Sequence, residues 1–301
     1  MSGIPVSLGA LYIVADGMGG HKGGALAAEL AVQELERHLQ QTPAGEPVDQ
    51  AIQAAFVKAN KSVYEKAHSG DTTTEGMGTT AVLLLISGQN ATLAHVGDSR
   101  AYLYRDNRLT RLTTDHTVVE KMVQAGMLKP EDAADHPDSS VLERAIGSKP
   151  DIEVDIRNEL LNQGDAILLC SDGLSGYVAD TQIESVLRSQ KTVKETTEDL
   201  VRLALEKGGK DNVTVQLIQY GAKKDAQALR QTAPVNPVPQ VASTPQPFRA
   251  RWSPRLTVAV LVLVAVMAAG SFVLYYRSSQ NKVALDEAKK NIINLDEQLK
   301  A

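Results

Sequence analysis

The chain has 301 residues, a formal net charge of −5 and one cysteine, with 43% hydrophobic and 22% charged residues. This composition is ordinary for a folded protein with a sizeable core, and the lack of a basic excess argues against nucleic-acid binding. One cysteine excludes a disulfide framework, and the position of Cys170 in the apolar run AILLC predicts a small buried hydrophobic residue.

The first elements are an apolar strand that ends at Asp16 and a glycine-rich segment, VADGMGGHKGG, at residues 14–24. Apolar residues at helical spacing then predict two helices. Their apolar faces are defined by Leu26, Leu30, Leu35 and Leu39 in the first and by Ile52, Phe56, Ala59 and Val63 in the second.

Strand-like segments follow in adjacent runs, which do not alternate strictly with helices. They are TTAVLLLIS, NATLAHVGD, RAYLYRDNRLTRLT, GDAILLCSDG and NVTVQLIQY. This order favours an α+β fold of antiparallel sheets with helices packed outside over a doubly wound parallel sheet. In the third segment, Asp106 and Asn107 are predicted to form the turn of a β-hairpin.

The C-terminal part differs in composition from the globular part, which is predicted to end at residue 221. Residues 222–254 are a predicted linker, because six prolines within 21 positions favour an extended chain. Residues 255–276 contain LTVAVLVLVAVMAAGSFVLYY, an uncharged stretch long enough for a transmembrane helix, with a buried core helix as the alternative.

The charges around this stretch predict its orientation. Basic residues are slightly more frequent before the span than after it, and this bias places the N-terminal domain in the cytoplasm. The basic residues are Arg249, Arg251 and Arg255 before the uncharged stretch and Arg277 and Lys282 after it. Residues 277–301 are then a short extracytoplasmic tail with the pattern of an amphipathic helix. Pairing with a second copy, contact with the membrane surface and plain solvation stay open for the tail.

Four aspartates lie at the margins of predicted strands and close to glycine: Asp16, Asp98, Asp172 and Asp211. Mg²⁺ and Mn²⁺ prefer oxygen ligands, and glycine lets a backbone carbonyl approach an ion. Converging acids repel each other unless cations lie between them, and a pair of divalent ions activates water and binds phosphate esters. As alternatives, each acid caps a helix or forms a turn, and Asp98 pairs with Arg100 on the surface.

Other motifs for phosphate binding or hydrolysis are absent from the sequence. No GxxxxGK[ST] loop, GxGxxG motif, HExxH motif or GxSxG motif occurs. These absences argue against the corresponding nucleotide-binding, metalloprotease and hydrolase designs.

Several segments together resemble the protein phosphatase 2C family in its bacterial form, over roughly residues 8–220. They are VADGMGGHKGG, GMGTTAVLLLI, LAHVGDSRAYLYR, LLCSDGLSGYV and GGKDNVTVQLI, together with the flap-like AADHPDSSVLERAIG. The resemblance implies a four-layer αββα sandwich of two antiparallel sheets flanked by helices. It also implies hydrolysis of protein phosphoserine and phosphothreonine by metal-activated water, with two to three Mn²⁺ or Mg²⁺ ions and no phosphoenzyme.

The resemblance also assigns roles to the aspartates. Asp16 matches the carboxylate that bridges two ions, and the Gly17 carbonyl matches a ligand of the first ion. Asp172 and Asp211 match ligands of the second, and Asp98 matches a ligand of a third, weaker ion. The general acid stays unassigned, because Met18 stands where animal members carry a histidine, and a structural role is preferred for His21.

One departure from the family pattern concerns the first residues. Family members carry an arginine and an Asn-Glu-Asp segment before the first aspartate motif, whereas residues 1–11 contain no arginine and no acid. We therefore expect an N-terminally shortened phosphatase domain at residues 1–221. The predicted protein is a membrane-anchored cytoplasmic phosphatase that opposes a protein kinase. A pseudophosphatase that binds phosphoproteins, or a signalling module governed by the tail, is the alternative.

Overall fold

The computed structural model describes residues 4–6, 8–43, 45–133, 136–189, 191–209 and 211–221. The predicted linker (222–254), membrane span (255–276) and tail (277–301) lie outside these ranges. Across the described ranges, no helix combines the length and the apolar character needed to cross a bilayer.

The described residues form two main antiparallel sheets with helices outside them. The strands are β1 (Ile4–Val6), β2 (Gly9–Val14), β3 (Gly17–Met18), β4 (Gly78–Thr79), β5 (Ala81–Ser87), β6 (Asn90–Val96), β7 (Arg100–Arg105), β8 (Arg108–Arg111), β9 (Asp155–Leu160), β10 (Ala166–Cys170) and β11 (Val215–Gln219). The helices are α1 (His21–Gln41), α2 (Val48–Ala67), α3 (Val118–Gln124), α4 (Asp172–Ser175), α5 (Asp180–Leu187) and α6 (Val193–Glu206). A 3-10 turn covers Pro130–Asp132.

The larger sheet has the strand order β1-β2-β5-β6-β9 and the smaller one β11-β10-β7-β8, while β3 pairs with β4 in a short ribbon. All pairings between these strands are antiparallel. The predicted α+β class with antiparallel sheets is therefore confirmed. The predicted hairpin is β7–β8, and Asp106 and Asn107 at its turn have φ values of 51° and 63°. Aspartate and asparagine tolerate this left-handed conformation better than most residues do.

Three hydrophobic clusters separate four layers. The first joins α1 and α2 to the larger sheet and includes Phe56 and Leu83. The second lies between the two sheets and includes Leu84 and Leu169. The third joins the smaller sheet to α4, α5 and α6 and includes Tyr102. Adjacent residues of β5 thus enter different clusters, as the two-residue period of a strand requires, and the layer order is αββα.

Helix α1 begins immediately after the glycine-rich segment. Its fully buried side chains are Ala27, Ala31, Leu35 and Leu39, whereas Leu26 and Leu30 lie half-buried at the edge of this face. The predicted apolar face is therefore rotated by about one residue in the first two turns, where small alanines face the core. No side chain caps the helix, whose N-cap residue is Gly20, so Asp16 is not a helix cap.

Candidate metal centre

Asp16 follows β2, and its backbone is held by two threonines that precede β5. The Asp16 N–H donates to Thr80 Oγ1 at 3.1 Å, and the Thr80 N–H donates to the Asp16 carbonyl at 2.8 Å. Thr79 Oγ1 donates to the same carbonyl at 2.8 Å. These three hydrogen bonds fix the backbone of Asp16 and therefore the point from which its carboxyl group projects. Neither threonine was predicted to have a role from the sequence, although both lie in the segment GMGTTAVLLLI.

The glycines after Asp16 allow two backbones to touch. A Cβ on Gly17 would lie 1.9 Å from the Gly24 carbonyl oxygen, and a Cβ on Gly24 would lie 2.6 Å from the Gly17 carbonyl oxygen. Both distances are far below van der Waals contact, so strand β3 can pack against the first turn of α1 only when both residues are glycine. These glycines therefore let the Gly17 carbonyl lie against the first turn of α1, one residue after Asp16.

Asp98 follows Gly97 in the turn between β6 and β7, and its side chain is partly buried. Burial raises the pKa of Asp98 to about 7, with further contributions from the nearby charges of Asp172 and Asp115. Arg100 instead donates to Asp115, with Nη2 2.7 Å from Oδ2 and Nε 3.1 Å from Oδ1. The suggested surface pair of Asp98 with Arg100 is thus replaced by a partly buried pair of Arg100 with Asp115.

Asp172 is the first residue of α4, and Asp211 lies shortly before β11. The loops that carry them are connected through Ser171, whose Oγ donates to the Asn212 carbonyl at 3.0 Å and accepts the Thr214 N–H at 3.1 Å. Burial raises the pKa of Asp172, and the charge of Asp211 raises it further. Asp211 is exposed, and its Oδ1 accepts the N–H of Asn212 at 2.7 Å, so it also has the local turn contact that the sequence left open.

The four acids converge around Asp16. Burial is the largest cause of the raised pKa of Asp16, and the nearby Asp172, Asp211 and Asp98 raise it further. The Asp16 and Asp172 carboxyl groups lie within hydrogen-bonding reach of each other. Asp16 Oδ2 is buried and has no hydrogen-bond donor among the described residues. A buried, unpartnered carboxylate oxygen surrounded by like charges fits a divalent cation, which supplies the missing positive charge.

Two cavities border the acids. Asp98 and Asp172 line a cavity of about 680 Å³, which extends along α3 and the 3-10 turn. Asp16 and Gly17 line a second cavity of about 380 Å³, together with Gly20, Ala25 and Asn212. The acids are therefore accessible to a ligand from solvent. The assignment of individual residues to individual ions stays a prediction.

A further group lies outside the acid centre, which is the group of Asp16, Asp98, Asp172 and Asp211. It was not anticipated from the sequence. His95, His116 and Asp155 have potential ligand atoms that all lie within 4.8 Å of one another. Both histidines are buried, and their rings stack with centroids 4.6 Å apart. The segments that carry them are far apart in the chain, so only the fold brings them together.

Comparison with known proteins gives consistent matches over the described domain. A protein-family model described as Protein phosphatase 2C matches residues 6–220. The Serine/threonine phosphatase stp of Listeria monocytogenes is 37% identical over 212 residues, which cover 69% of this chain and 84% of that protein. A structure of the S. agalactiae serine/threonine phosphatase aligns with a TM-score of 0.68 at 37% identity, over 71% of this chain and 89% of that one. A catalytic domain of serine threonine protein phosphatase PstP, in complex with 2 manganese ions, aligns with a TM-score of 0.62 at 35% identity, over 72% and 94% of the two chains.

Proposed function

Because the chain belongs to the protein phosphatase 2C family, we propose that it is a metal-dependent protein serine/threonine phosphatase. Its reaction is the hydrolysis of phosphoserine and phosphothreonine in proteins with Mn²⁺ or Mg²⁺. The observation that carries the proposal is the convergence of Asp16, Asp98, Asp172 and Asp211 around a buried carboxylate oxygen that lacks a donor.

The residues that would hold the ions are those at the acid centre. We assign Asp16 to both of the first two metal ions and the Gly17 carbonyl to the first of them. Asp172 and Asp211 are assigned to the second ion, and Asp98 to a third. Bound Mn²⁺ or Mg²⁺ lowers the pKa of coordinated water and neutralises negative charge on a phosphate ester. The protein contributes rigidity, because Thr79, Thr80 and Ser171 fix the backbone beside three of these acids.

The substrate is proposed to enter the cavity that borders Asp98 and Asp172. Its volume of about 680 Å³ accommodates a phosphorylated side chain and adjoining peptide. Val119, Val123 and Pro130 form apolar parts of its wall, which suits the aliphatic portions of a peptide. The substrate proteins are proposed to be products of a serine/threonine kinase that this enzyme opposes.

The test of the proposed function is phosphate release from phosphothreonine and phosphoserine peptides with added MnCl₂. We expect turnover by the wild type, and a loss of at least about 100-fold in Asp172→Asn, since removal of a ligand costs at least as much as removal of its outer-shell partner. Asp151→Asn changes an exposed acid outside the acid centre and should retain wild-type turnover. Mn²⁺ binding without turnover by the wild type would contradict the proposal and favour the pseudophosphatase.

We also propose that residues 255–276 anchor the protein in the cell membrane, with the phosphatase domain in the cytoplasm. The support is the uncharged stretch and the basic residues before it. The full chain should fractionate with membranes, and a chain that ends at residue 254 should not. Equal turnover of the two forms would support a plain anchor, whereas a changed rate would favour regulation by the tail.

A further inference from the structure

The His95, His116 and Asp155 group is linked to the acid centre through Gly97, the residue before Asp98. His116 Nδ1 faces the backbone N–H of Gly97 at 3.2 Å. Because an N–H can only donate, this nitrogen is the unprotonated acceptor, and in the neutral ring the proton lies on Nε2. Nε2 in turn lies 3.3 Å from Asp155 Oδ2. His116 therefore joins the Gly97 backbone to the Asp155 carboxylate.

The same contacts argue against a metal ion at this group. Arg144 Nη1 donates to Asp155 Oδ1 at 2.8 Å, so a guanidinium already supplies the positive charge. The same Nη1 lies 3.4 Å from His116 Nε2, a longer contact than that of the Gly97 N–H with Nδ1, and Nε2 cannot accept from it while it carries the proton that faces Asp155. His95 Nε2 contacts the Thr114 carbonyl oxygen at 2.8 Å and thus carries a proton that it donates. An ion would have to displace these partners, and it would need His116 to lose the proton that its Gly97 contact places on Nε2.

What His116 holds is the peptide immediately before Asp98. Besides the bond to Nδ1, the His116 N–H donates to the Gly97 carbonyl oxygen at 3.0 Å, so His116 satisfies both backbone groups of Gly97. Gly97 has a φ of 102°, and a Cβ there would lie 2.5 Å from Thr80 Cγ2. The turn is therefore enclosed by Thr80 on one side and His116 on the other.

We propose that His116, oriented by Asp155, is a positioning residue that holds the Gly97 peptide and thereby sets the Asp98 carboxylate in the acid centre. This inference rests on the metal-dependent function proposed above. Asp155 acts by keeping the imidazole in the form whose Nδ1 is an acceptor, as carboxylates do for histidines in other polar sites. The group thus acts on ion binding without contributing a ligand.

The geometry offers two substitutions that separate the contacts of one ring. In His116→Asn the side-chain oxygen can take the place of Nδ1 and accept the Gly97 N–H, while the contact with Asp155 is lost. In His116→Gln the longer amide reaches the position of Nε2, and the acceptor for Gly97 is lost. His95→Gln is the matched control, because it removes the stacked, equally buried ring, whose Nε2 faces the Thr114 carbonyl oxygen and not Gly97.

The experiment is a Mn²⁺ titration of the full chain, followed by the electron paramagnetic resonance signal of free Mn²⁺, with folding checked by circular dichroism. Asp98→Asn identifies the binding step that depends on Asp98. We expect His116→Gln to weaken that step by about 10-fold to 100-fold, the range for residues that support metal ligands, and to leave the other steps unchanged. We expect His116→Asn to keep the Mn²⁺ affinity of that step within about threefold of the wild-type affinity. His95→Gln should lower the stability of the fold without changing that affinity.

Three results would overturn the proposal: a wild-type titration for folded His116→Gln, equal weakening in the two His116 variants, or the same weakening in His95→Gln. Should His116→Gln not fold, Asp155→Ala decides, because its side chain is 45% exposed and its loss is tolerable. Asp155→Ala should weaken the same step, and an unchanged step would contradict the role of Asp155. A wild type that binds Mn²⁺ without phosphatase turnover contradicts the proposed function alone, since the titration does not use turnover.

Discussion

Thr80 accepts the backbone N–H of Asp16 on its side-chain oxygen at 3.1 Å, and the same oxygen lies 2.7 Å from the Ser99 hydroxyl. Ser99 follows Asp98 directly, so one threonine side chain connects the backbones that carry two acids of the metal centre. Thr80 and Ser99 are both buried, and water cannot replace a lost hydrogen bond at this position without entering the core.

The Thr80 contact predicts a specific effect of removing its hydroxyl. Thr80→Val keeps the shape of the side chain but leaves the Asp16 N–H and the Ser99 hydroxyl without that partner. We expect about 10-fold to 100-fold weaker Mn²⁺ binding and a loss of stability of about 1–3 kcal/mol. Thr92→Val is the control, because Thr92 is equally buried and its hydroxyl donates to Asn158 at 2.7 Å. Equal Mn²⁺ affinities in the two variants would show that the Thr80 hydrogen bonds have no effect on Mn²⁺ binding at the acid centre.

The contact between Gly17 and Gly24 predicts opposite outcomes for two neighbouring glycines of α1. Alanine in a helix is ordinarily more stable than glycine by about 1 kcal/mol. Gly24→Ala should nevertheless destabilise the protein and weaken Mn²⁺ binding, because its methyl group would lie 2.6 Å from the Gly17 carbonyl oxygen. Gly23→Ala meets its nearest neighbours at 3.3 Å and should keep Mn²⁺ affinity. Thermal denaturation and Mn²⁺ titration of the pair check this, and an unimpaired Gly24→Ala would contradict it.

The raised pKa of Asp98 predicts how pH changes the stability of the metal-free protein. The pKa is about 7 in the folded chain, mainly through burial, and about 3.9 in the unfolded chain, so the folded form binds the proton more tightly. The carboxylate therefore destabilises the fold fully above pH 7, and this cost decreases as pH falls below 7. Asp98→Asn removes the cost, so its stabilising effect in EDTA should be larger at pH 8 than at pH 6.

The measurement is the difference in Tm between Asp98→Asn and the wild type at the two pH values. We expect this difference to shrink by about 2–4 °C between pH 8 and pH 6, which corresponds to about 1 kcal/mol. The lowered pKa values of the buried His95 and His116 make stability fall with falling pH, but this contribution is common to both proteins. A constant difference for Asp98→Asn would contradict the burial of its charge.

Cys170 predicts a negative result with thiol reagents. Its side chain is fully buried in β10, and burial raises the pKa of its thiol to about 12, which confirms the prediction of a buried hydrophobic residue. Because the thiolate is the reactive form, iodoacetamide should not modify the native protein, and turnover should be unchanged. The unfolded chain should be alkylated, which mass spectrometry can follow. If turnover were lost at the same rate as the native Cys170 thiol is alkylated, the prediction that Cys170 has no catalytic role would be wrong.

The parts of the fold that the sequence predicted are those with strong local signals. Asp106 and Asn107 tolerate positive φ, so the β7–β8 hairpin was predictable, and the antiparallel sheets followed from strand segments in adjacent runs. Strand β9 was missed, because its sequence, DIRNEL, is polar at the edge of the larger sheet and lacks an apolar run. Pairing with β6, rather than its own composition, makes this segment a strand.

The candidate site was predictable to a similar depth. Four aspartates were predicted as metal ligands from their strand margins and from the family resemblance. The structure places Asp172, Asp211 and Asp98 near Asp16, and their roles as ligands stay predictions. The sequence did not identify Thr80 or His116, because their roles depend on contacts with Asp16, 64 positions away, and with Gly97, 19 positions away. A hydroxyl or imidazole in a loop gives no periodic signal, so only the three-dimensional contacts assign such residues.

The proposed function requires that Asp16, Asp98, Asp172 and Asp211 form a centre for divalent ions. The most direct measurement is an anomalous difference map, recorded near the manganese absorption edge, from crystals of this protein grown with MnCl₂. We expect manganese peaks bordered by Asp16, Asp172 and Asp211, and no peak between His95, His116 and Asp155. Crystals with a manganese peak at the histidines and none at the aspartates would contradict this expectation.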